Sequence, residues 1–285
     1  MFTTIKNYFS LIKFSHTVFA LPFALVGFTY AIKLGYQFYW LNLFYVLLCM
    51  VFARTAAMAF NRFIDRKFDA LNPRTKNREI PAGVISVQSA FWFVIINSIL
   101  FIATTWFINS ICFYLSFVAL FVILGYSYTK RFTPLCHLVL GVGLGLAPIG
   151  AYLAVAGVFN TIPVLFGFLV FFWVSGFDII YALQDKEFDV TNKLKSIPGY
   201  LGISKSLIVS RFLHFLCTVI VIVIGVKDNF SFIYWVGAVV FFALLIYQHT
   251  IVKVTDLSKI NIAFATTNGI GSIIFSFFVV LDLLF

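Results

Sequence analysis

The sequence predicts an all-α polytopic membrane protein of about nine transmembrane helices. Three observations point there. The chain is 62% hydrophobic and only 11% charged, with a mean hydropathy of +1.04, whereas soluble domains average about 45–50% apolar and about 25% charged residues. Its apolar residues fall into stretches near the roughly 20 residues that cross a bilayer core. Its few acidic residues are concentrated rather than scattered.

Nine stretches meet the length rule, at 14–33, 38–60, 89–107, 110–128, 134–157, 161–182, 204–226, 230–252 and 261–283. Together they make one transmembrane domain over residues 1–285, with acidic cap loops at about 61–88 and 183–203. The first stretch is long for the apolar core of a signal peptide and lacks a small-residue cleavage pattern, so it reads as a retained helix. Asn109-Ser110 and Phe159-Asn160-Thr161 are turns so short that they make antiparallel hairpins of their neighbours.

Charge then sets orientation. Lys6 and Lys13 precede the first stretch; Arg62, Arg66, Lys67, Arg74, Lys76 and Arg78 follow the second. Lys130 and Arg131 follow the fourth, Lys186, Lys193, Lys195 and Lys205 the sixth, and Lys253 and Lys259 the eighth. If nine helices alternate, all these lie on one side, opposite only Lys33 and Lys227. The excess of Lys and Arg makes that side cytoplasmic. The formal charge of +10 is thus spread as membrane topology requires, and no continuous basic face for nucleic acid is formed. Cys49, Cys112, Cys136 and Cys217 show neither CxxC spacing nor a disulfide framework.

Of ten acidic residues, seven fall in two regions: Asp65, Asp69 and Glu79, then Asp178, Asp185, Glu187 and Asp189. Asn61, Asp65 and Asp69 are spaced by four, as are Tyr181, Asp185 and Asp189. One constant interval separates each member of the first triplet from its counterpart, the pattern an internal duplication leaves. Four-residue spacing puts each triplet on one helix face. Like charges a turn apart repel, unless a cation lies between them. Carboxylate oxygens bind hard divalent ions, and magnesium commonly takes one or two carboxylates plus substrate phosphates. Two facing stripes therefore suit two magnesium ions around a diphosphate, with Arg62, Arg66, Arg74, Arg78, Lys130 and Arg131 as phosphate donors. Acids at a membrane edge are rare and usually functional. Arg66, Lys67, Lys76, Lys186 and Lys193 read equally well as solvated caps.

Arg54, two turns before Asn61, reads as an anion-binding group inside a cavity. Asp178 either lines the same cavity or pairs with a buried base. Gly141-x-Gly143-x-Gly145 lacks the strand and Lys-Ser/Thr of a phosphate loop and reads as close helix packing. His137, His214 and His249 read as structural, and His16, at the start of the first stretch, as a weak site candidate.

The motifs also carry a resemblance. Asn61-Arg-Phe-Ile-Asp65-Arg-Lys-Phe-Asp69-Ala-Leu-Asn-Pro-Arg74-Thr75-x-x-Arg78 resembles the first signature of the UbiA superfamily of intramembrane prenyltransferases. Asp178-Ile-Ile-Tyr181-Ala-Leu-Gln184-Asp185-Lys-Glu187-Phe-Asp189, followed by Lys195-Ser196-Ile197-Pro198, resembles the second, and Tyr126-Ser-Tyr128-Thr-Lys130-Arg131 an element between them. The resemblance implies a helical bundle around a central cavity capped by two cytoplasmic loops. It implies Mg2+ held by Asp65, Asp69, Asp185 and Asp189 with Asn61, and substrate contacts from Arg54, Arg74, Arg78, Lys130, Arg131 and Tyr181. The substrates it implies are a prenyl diphosphate and an aromatic acid, in a bacterial inner membrane. The Tyr-x-x-Gln-Asp pattern is most similar to 4-hydroxybenzoate polyprenyltransferases of ubiquinone and menaquinone synthesis. Lys13-Phe14-Ser15-His16-Thr17 instead resembles a branch tied to a futalosine-type menaquinone route, whose acceptor is a naphthoate-like ring. From another class, a membrane cation transporter would also use acidic stripes. A CDP-alcohol phosphotransferase would need an Asp-Gly signature that is missing.

Overall fold

In the computed structural model residues 2–285 are described, apart from the side chains of residues 2–5 and 14–16. The His16 side chain therefore lies outside the described residues. Every extended regular element among the described residues is helical. Eight of the helices are long and apolar enough to cross a membrane.

The expected first span is divided. Helix α1 covers Phe2–Leu11, a 3-10 helix covers Phe14–Phe19, and α2 covers only Leu21–Lys33. Pro22 explains the restart, because proline lacks an N–H and is tolerated only in a helix's first turn. Helix α3 (Trp40–Leu71) runs further than expected and carries Asn61, Asp65 and Asp69 within it. It stops at Asn72, whose extended backbone (φ −84°, ψ 120°) is what a following proline favours. The first cap loop is thus 72–86.

Helices α4 (Val87–Ile108), α5 (Ser110–Thr129), α6 (Cys136–Ala156) and α7 (Thr161–Ala182) follow. A 3-10 turn, Leu183–Asp185, leads into α8 (Lys186–Thr191). Helix α9 (Ile197–Lys227) starts at a Ser196 cap that accepts from Gly199 N at 3.2 Å, and it bends at Gly202, where φ is +76°. Helix α10 (Phe232–Ile251), a π-helical turn (Ile262–Thr267) and α11 (Asn268–Leu284) complete the chain.

The loops sort into two ends. Lys195 N donates to Lys130 O at 2.7 Å, joining the loops after α5 and α8. At the far end Lys33 pairs with Asp228 at 2.9 Å, and Asn109 Nδ2 donates to Leu153 O at 2.9 Å. The Lys- and Arg-rich loops therefore share one end of the bundle. Helix α7 is the most buried of the eight spans, and Trp173 at its middle packs among Phe19, Phe23, Phe177 and Phe241. The rim is apolar where lipid would lie, with Phe121 and Phe232 each 79% exposed.

Close packing of α6 on α7 needs the glycines. A Cβ added at Gly145 would sit 2.7 Å from Gly167 O, and one at Gly141 would sit 2.6 Å from Phe171 O. Backbone cannot yield as a side chain can. Gly145→Val is therefore expected to lower stability by about 1–3 kcal/mol, read as an earlier thermal aggregation midpoint in detergent.

Candidate active site

The polar end encloses a cavity of about 210 Å³, lined by Asn61, Asp65, Asp69, Arg74, Arg78, Lys130, Tyr181, Asp185 and Asp189. Both acidic regions thus reach one space. Helix α3 supplies the first because its last two turns stay helical past the apolar span. The end of α7, the 3-10 turn and α8 supply the second.

Each aspartate is matched to one base. Asp65 Oδ1 accepts from Arg131 at 2.9 Å, and its Oδ2 accepts from Asn61 Nδ2 at 3.1 Å. Asp69 Oδ1 accepts from Arg78 at 2.6 Å, while its buried Oδ2 has no partner. Asp185 is held in bidentate fashion by Arg74, whose Nε donates to Oδ1 at 3.0 Å while a second nitrogen pairs with Oδ2. Asn72 Nδ2 adds a bond to Asp185 Oδ1 at 3.0 Å. Asp189, 0% exposed, accepts from Ser196 Oγ at 2.7 Å. Lys130 Nζ lies 2.7 Å from its Oδ1, close as an ion pair but not aligned as a hydrogen bond.

Local geometry sets these bases in place. Asn72 Oδ1 accepts from Arg74 N at 2.9 Å, a side-chain turn that aims Arg74 across the cavity. Arg74 then donates to Tyr181 Oη at 2.9 Å and lies over that ring, which stacks on Phe264 at 4.0 Å. Burial pulls the Arg74 pKa down, but the bond and charge of Asp185 outweigh it and leave it above the ordinary arginine value. For Lys130, burial likewise lowers and Asp189 more than restores the pKa, so its ammonium is held charged.

Two expected substrate contacts lie elsewhere. Arg131 sits behind Asp65, donating to Ser127 O at 2.8 Å and Ile64 O at 3.1 Å, and does not line the polar cavity. Arg54 lines a second cavity of about 380 Å³, almost wholly apolar, between α3, α4, α5 and α6. Its Nη2 donates to Lys13 O at 2.9 Å, tying down the turn after α1, and its buried Nε is unpartnered. Tyr126 and Leu140 line both cavities, so the polar and apolar spaces adjoin. Arg66 bonds the Phe63 carbonyl at 2.5 Å and covers the Phe63 ring, as a structural side chain does.

Sequence reasoning missed Asn72 and His137. Asn72 follows Asp69 by three residues in the expected loop, a spacing that marks it as a neighbour of the stripe. His137 lines the polar cavity, bonded to Asp178 at 2.7 Å. That pairing answers the question left for Asp178, which both lines the cavity and meets a buried base. The structural role expected for His137 is not its whole environment.

The carboxylates suit a hard divalent cation. Their donors are all oxygen, and the buried, unpartnered Asp69 Oδ2 is an acceptor without a donor. Among the described residues no ready cage of three or more acidic, His or Cys ligands exists.

A bundle of helices long and apolar enough to cross a membrane, with a charged polar cavity beside an apolar one, defines the class: an integral membrane protein with a charged internal site. The chain belongs to the UbiA prenyltransferase family, whose pattern matches residues 20–277. It is 29% identical over 229 residues to a 4-hydroxybenzoate octaprenyltransferase of Francisella tularensis subsp. novicida, covering 79% of each chain. The like-named protein of Psychromonas ingrahamii is 28% identical over 226 residues, covering 78% of this chain and 77% of that protein. A UbiA homologue from Aeropyrum pernix superposes with a TM-score of 0.84 at 30% identity, over 94% of this chain and 98% of the other. One from Archaeoglobus fulgidus, bound to GPP and Mg2+, shares the fold with a TM-score of 0.76 at 20% identity, over 98% of this chain and 100% of the other. The chain is therefore an integral membrane prenyltransferase, and the cation-transporter reading falls.

Proposed function

We propose that the chain moves a polyprenyl group from an allylic prenyl diphosphate to a ring carbon of a 4-hydroxybenzoate-like aromatic acid, in quinone biosynthesis. The observation that carries this reading is the meeting of two aspartate pairs around one polar cavity that opens beside an apolar one. The polar space is sized for a diphosphate head, and the apolar one takes the prenyl chain past Tyr126 and Leu140. The Lys- and Arg-rich end faces the cytoplasm of a bacterial inner membrane.

Asp65, Asp69, Asp185 and Asp189, with Asn61, would hold Mg2+. The bound ion would supply Lewis-acid stabilisation of the departing diphosphate. The chain's own residues do the rest. Arg74, Arg78 and Lys130, now engaged with carboxylates, are the donors that turn to phosphate oxygens when the head group arrives. Tyr181 keeps Arg74 aimed at that position. The allylic C–O bond breaks with its electron pair leaving on the diphosphate, the ring carbon forms the new C–C bond, and the ring proton is lost. Apolar walls keep water from the allylic cation.

A naphthoate-like acceptor is the second reading, favoured by Lys13 to Thr17. Lys13 belongs to the turn that Arg54 anchors above the apolar cavity. Membranes containing the protein, given a prenyl diphosphate, Mg2+ and a panel of hydroxybenzoate and naphthoate acids, are expected to yield a prenylated hydroxybenzoate by mass spectrometry. EDTA should abolish it, and excess Mg2+ restore it. Prenylated naphthoate alone would select the second reading, and product that persists in EDTA would remove the metal.

A further inference from the structure

We infer that His137, oriented by Asp178, is the base that takes the hydroxyl proton of the aromatic acceptor. The inference rests on the function proposed above.

His137 lies in the first turn of α6 and Asp178 in the last part of α7, and both line the polar cavity. His137 Nδ1 is 2.7 Å from Asp178 Oδ2. An ionised carboxylate only accepts hydrogen bonds, so this contact places a proton on Nδ1, and in the neutral imidazole, the form a base requires, the lone pair lies on Nε2. His137 Nε2 is buried and has no partner. A buried acceptor normally finds a donor, and the acceptor's hydroxyl is such a donor. Carboxylate, imidazole and a substrate hydroxyl in series form the arrangement that activates oxygen nucleophiles elsewhere.

The other carboxylates around the cavity each face a cationic side chain, and the unpartnered Asp69 Oδ2 belongs to the carboxylate set that suits a divalent cation. Asp65, Asp69, Asp185 and Asp189 face Arg131, Arg78, Arg74 and Lys130. The Tyr181 hydroxyl accepts from Arg74. The neighbouring Cys136 thiol faces the Pro134 and Lys195 carbonyls, at 3.8 and 3.7 Å. Tyr126 and Leu140, which also border the apolar cavity, line the polar cavity together with His137.

The hydroxyl proton passes to Nε2, giving an imidazolium held by Asp178 and a phenolate. Electron density at the adjacent ring carbon forms the C–C bond to the allylic carbon as its C–O bond breaks, and the diphosphate carries away that electron pair. The ring proton leaves to water, and the imidazolium returns its proton to the oxygen. The sum is prenylated acceptor, diphosphate and one proton.

His137→Gln is expected to keep wild-type affinity for the prenyl diphosphate and to lose about 100-fold or more in kcat, the usual worth of a general base. The loss should shrink with ring-fluorinated acceptors, whose hydroxyl ionises more easily. Asp178→Asn should show the same pattern, and the double variant should be no slower than His137→Gln alone. A second measurement needs no turnover. With a non-transferable thiodiphosphate analogue bound, the acceptor's absorbance should shift to the phenolate form in wild type and not in His137→Gln. A loss independent of acceptor acidity, a collapse of prenyl diphosphate binding, or a phenolate spectrum surviving in the variant would each overturn the assignment. Wild-type protein that prenylates no aromatic acid would instead overturn the functional reading beneath it.

Discussion

Asp185→Asn should lower prenyl transfer about 1,000-fold, the scale on which removal of one preorganised charge acts on a transition state. Asp185 is the most heavily engaged carboxylate of the site, taking both Arg74 bonds and one from Asn72. The substitution keeps the shape and removes the charge, so two effects separate. Metal-dependent turnover falls, because an amide is a poor ligand for magnesium. The Arg74 guanidinium, no longer neutralised, should bind inorganic diphosphate more tightly in EDTA than wild type does. Calorimetry with diphosphate and a turnover assay read the two independently. Asp228→Asn is the control: Asp228 pairs with Lys33 at the far end of the bundle and should leave turnover near wild type. Wild-type turnover in Asp185→Asn would remove that carboxylate from the mechanism.

Gly150→Trp is expected to slow transfer from long polyprenyl diphosphates by about 100-fold, the upper range by which a pocket discriminates small changes in apolar size. Transfer from the five-carbon dimethylallyl diphosphate should persist. Gly150 lines the apolar cavity, and a Cβ added there meets nothing within 4 Å. It lies about ten residues beyond Leu140 on α6, hence about 15 Å further along the axis. A five-carbon chain ends short of that point, whereas a long chain must pass it. Equal loss for both substrates would mean that the prenyl chain runs elsewhere.

The acidic residues were legible because scarcity and spacing single them out: four aspartates at helical intervals have few structural reasons to sit at a membrane edge. Their partners were not. Arg131 reaches Asp65, and Lys130 reaches Asp189, from another loop, and nothing local to either residue encodes that distance. Arg54 sits on the expected helix, but its bonds run to the Lys13 turn, a contact between segments that periodicity cannot express. His137 carried no ligand spacing, since its partner lies on a neighbouring helix. The apolar cavity was invisible for a different reason. Residues such as Ala53, Cys112 and Gly150 are as suited to lipid or to packing as to a substrate wall. The first span failed on a single residue, Pro22, which a count of apolar residues passes over.

The one-to-one matching of aspartates and bases also bears on how such a chain is made. Four unpaired carboxylates at the edge of a bilayer would each carry a desolvation cost of several kcal/mol, and helices α3 and α7 would be pushed apart at that end. With Arg131, Arg78, Arg74 and Lys130 already opposite them, the newly inserted helices can assemble around a near-neutral centre before any metal or substrate arrives. Under the function proposed above, biogenesis and catalysis would use the same side chains in succession, first as counter-ions for one another and later as the receptor for a phosphorylated lipid.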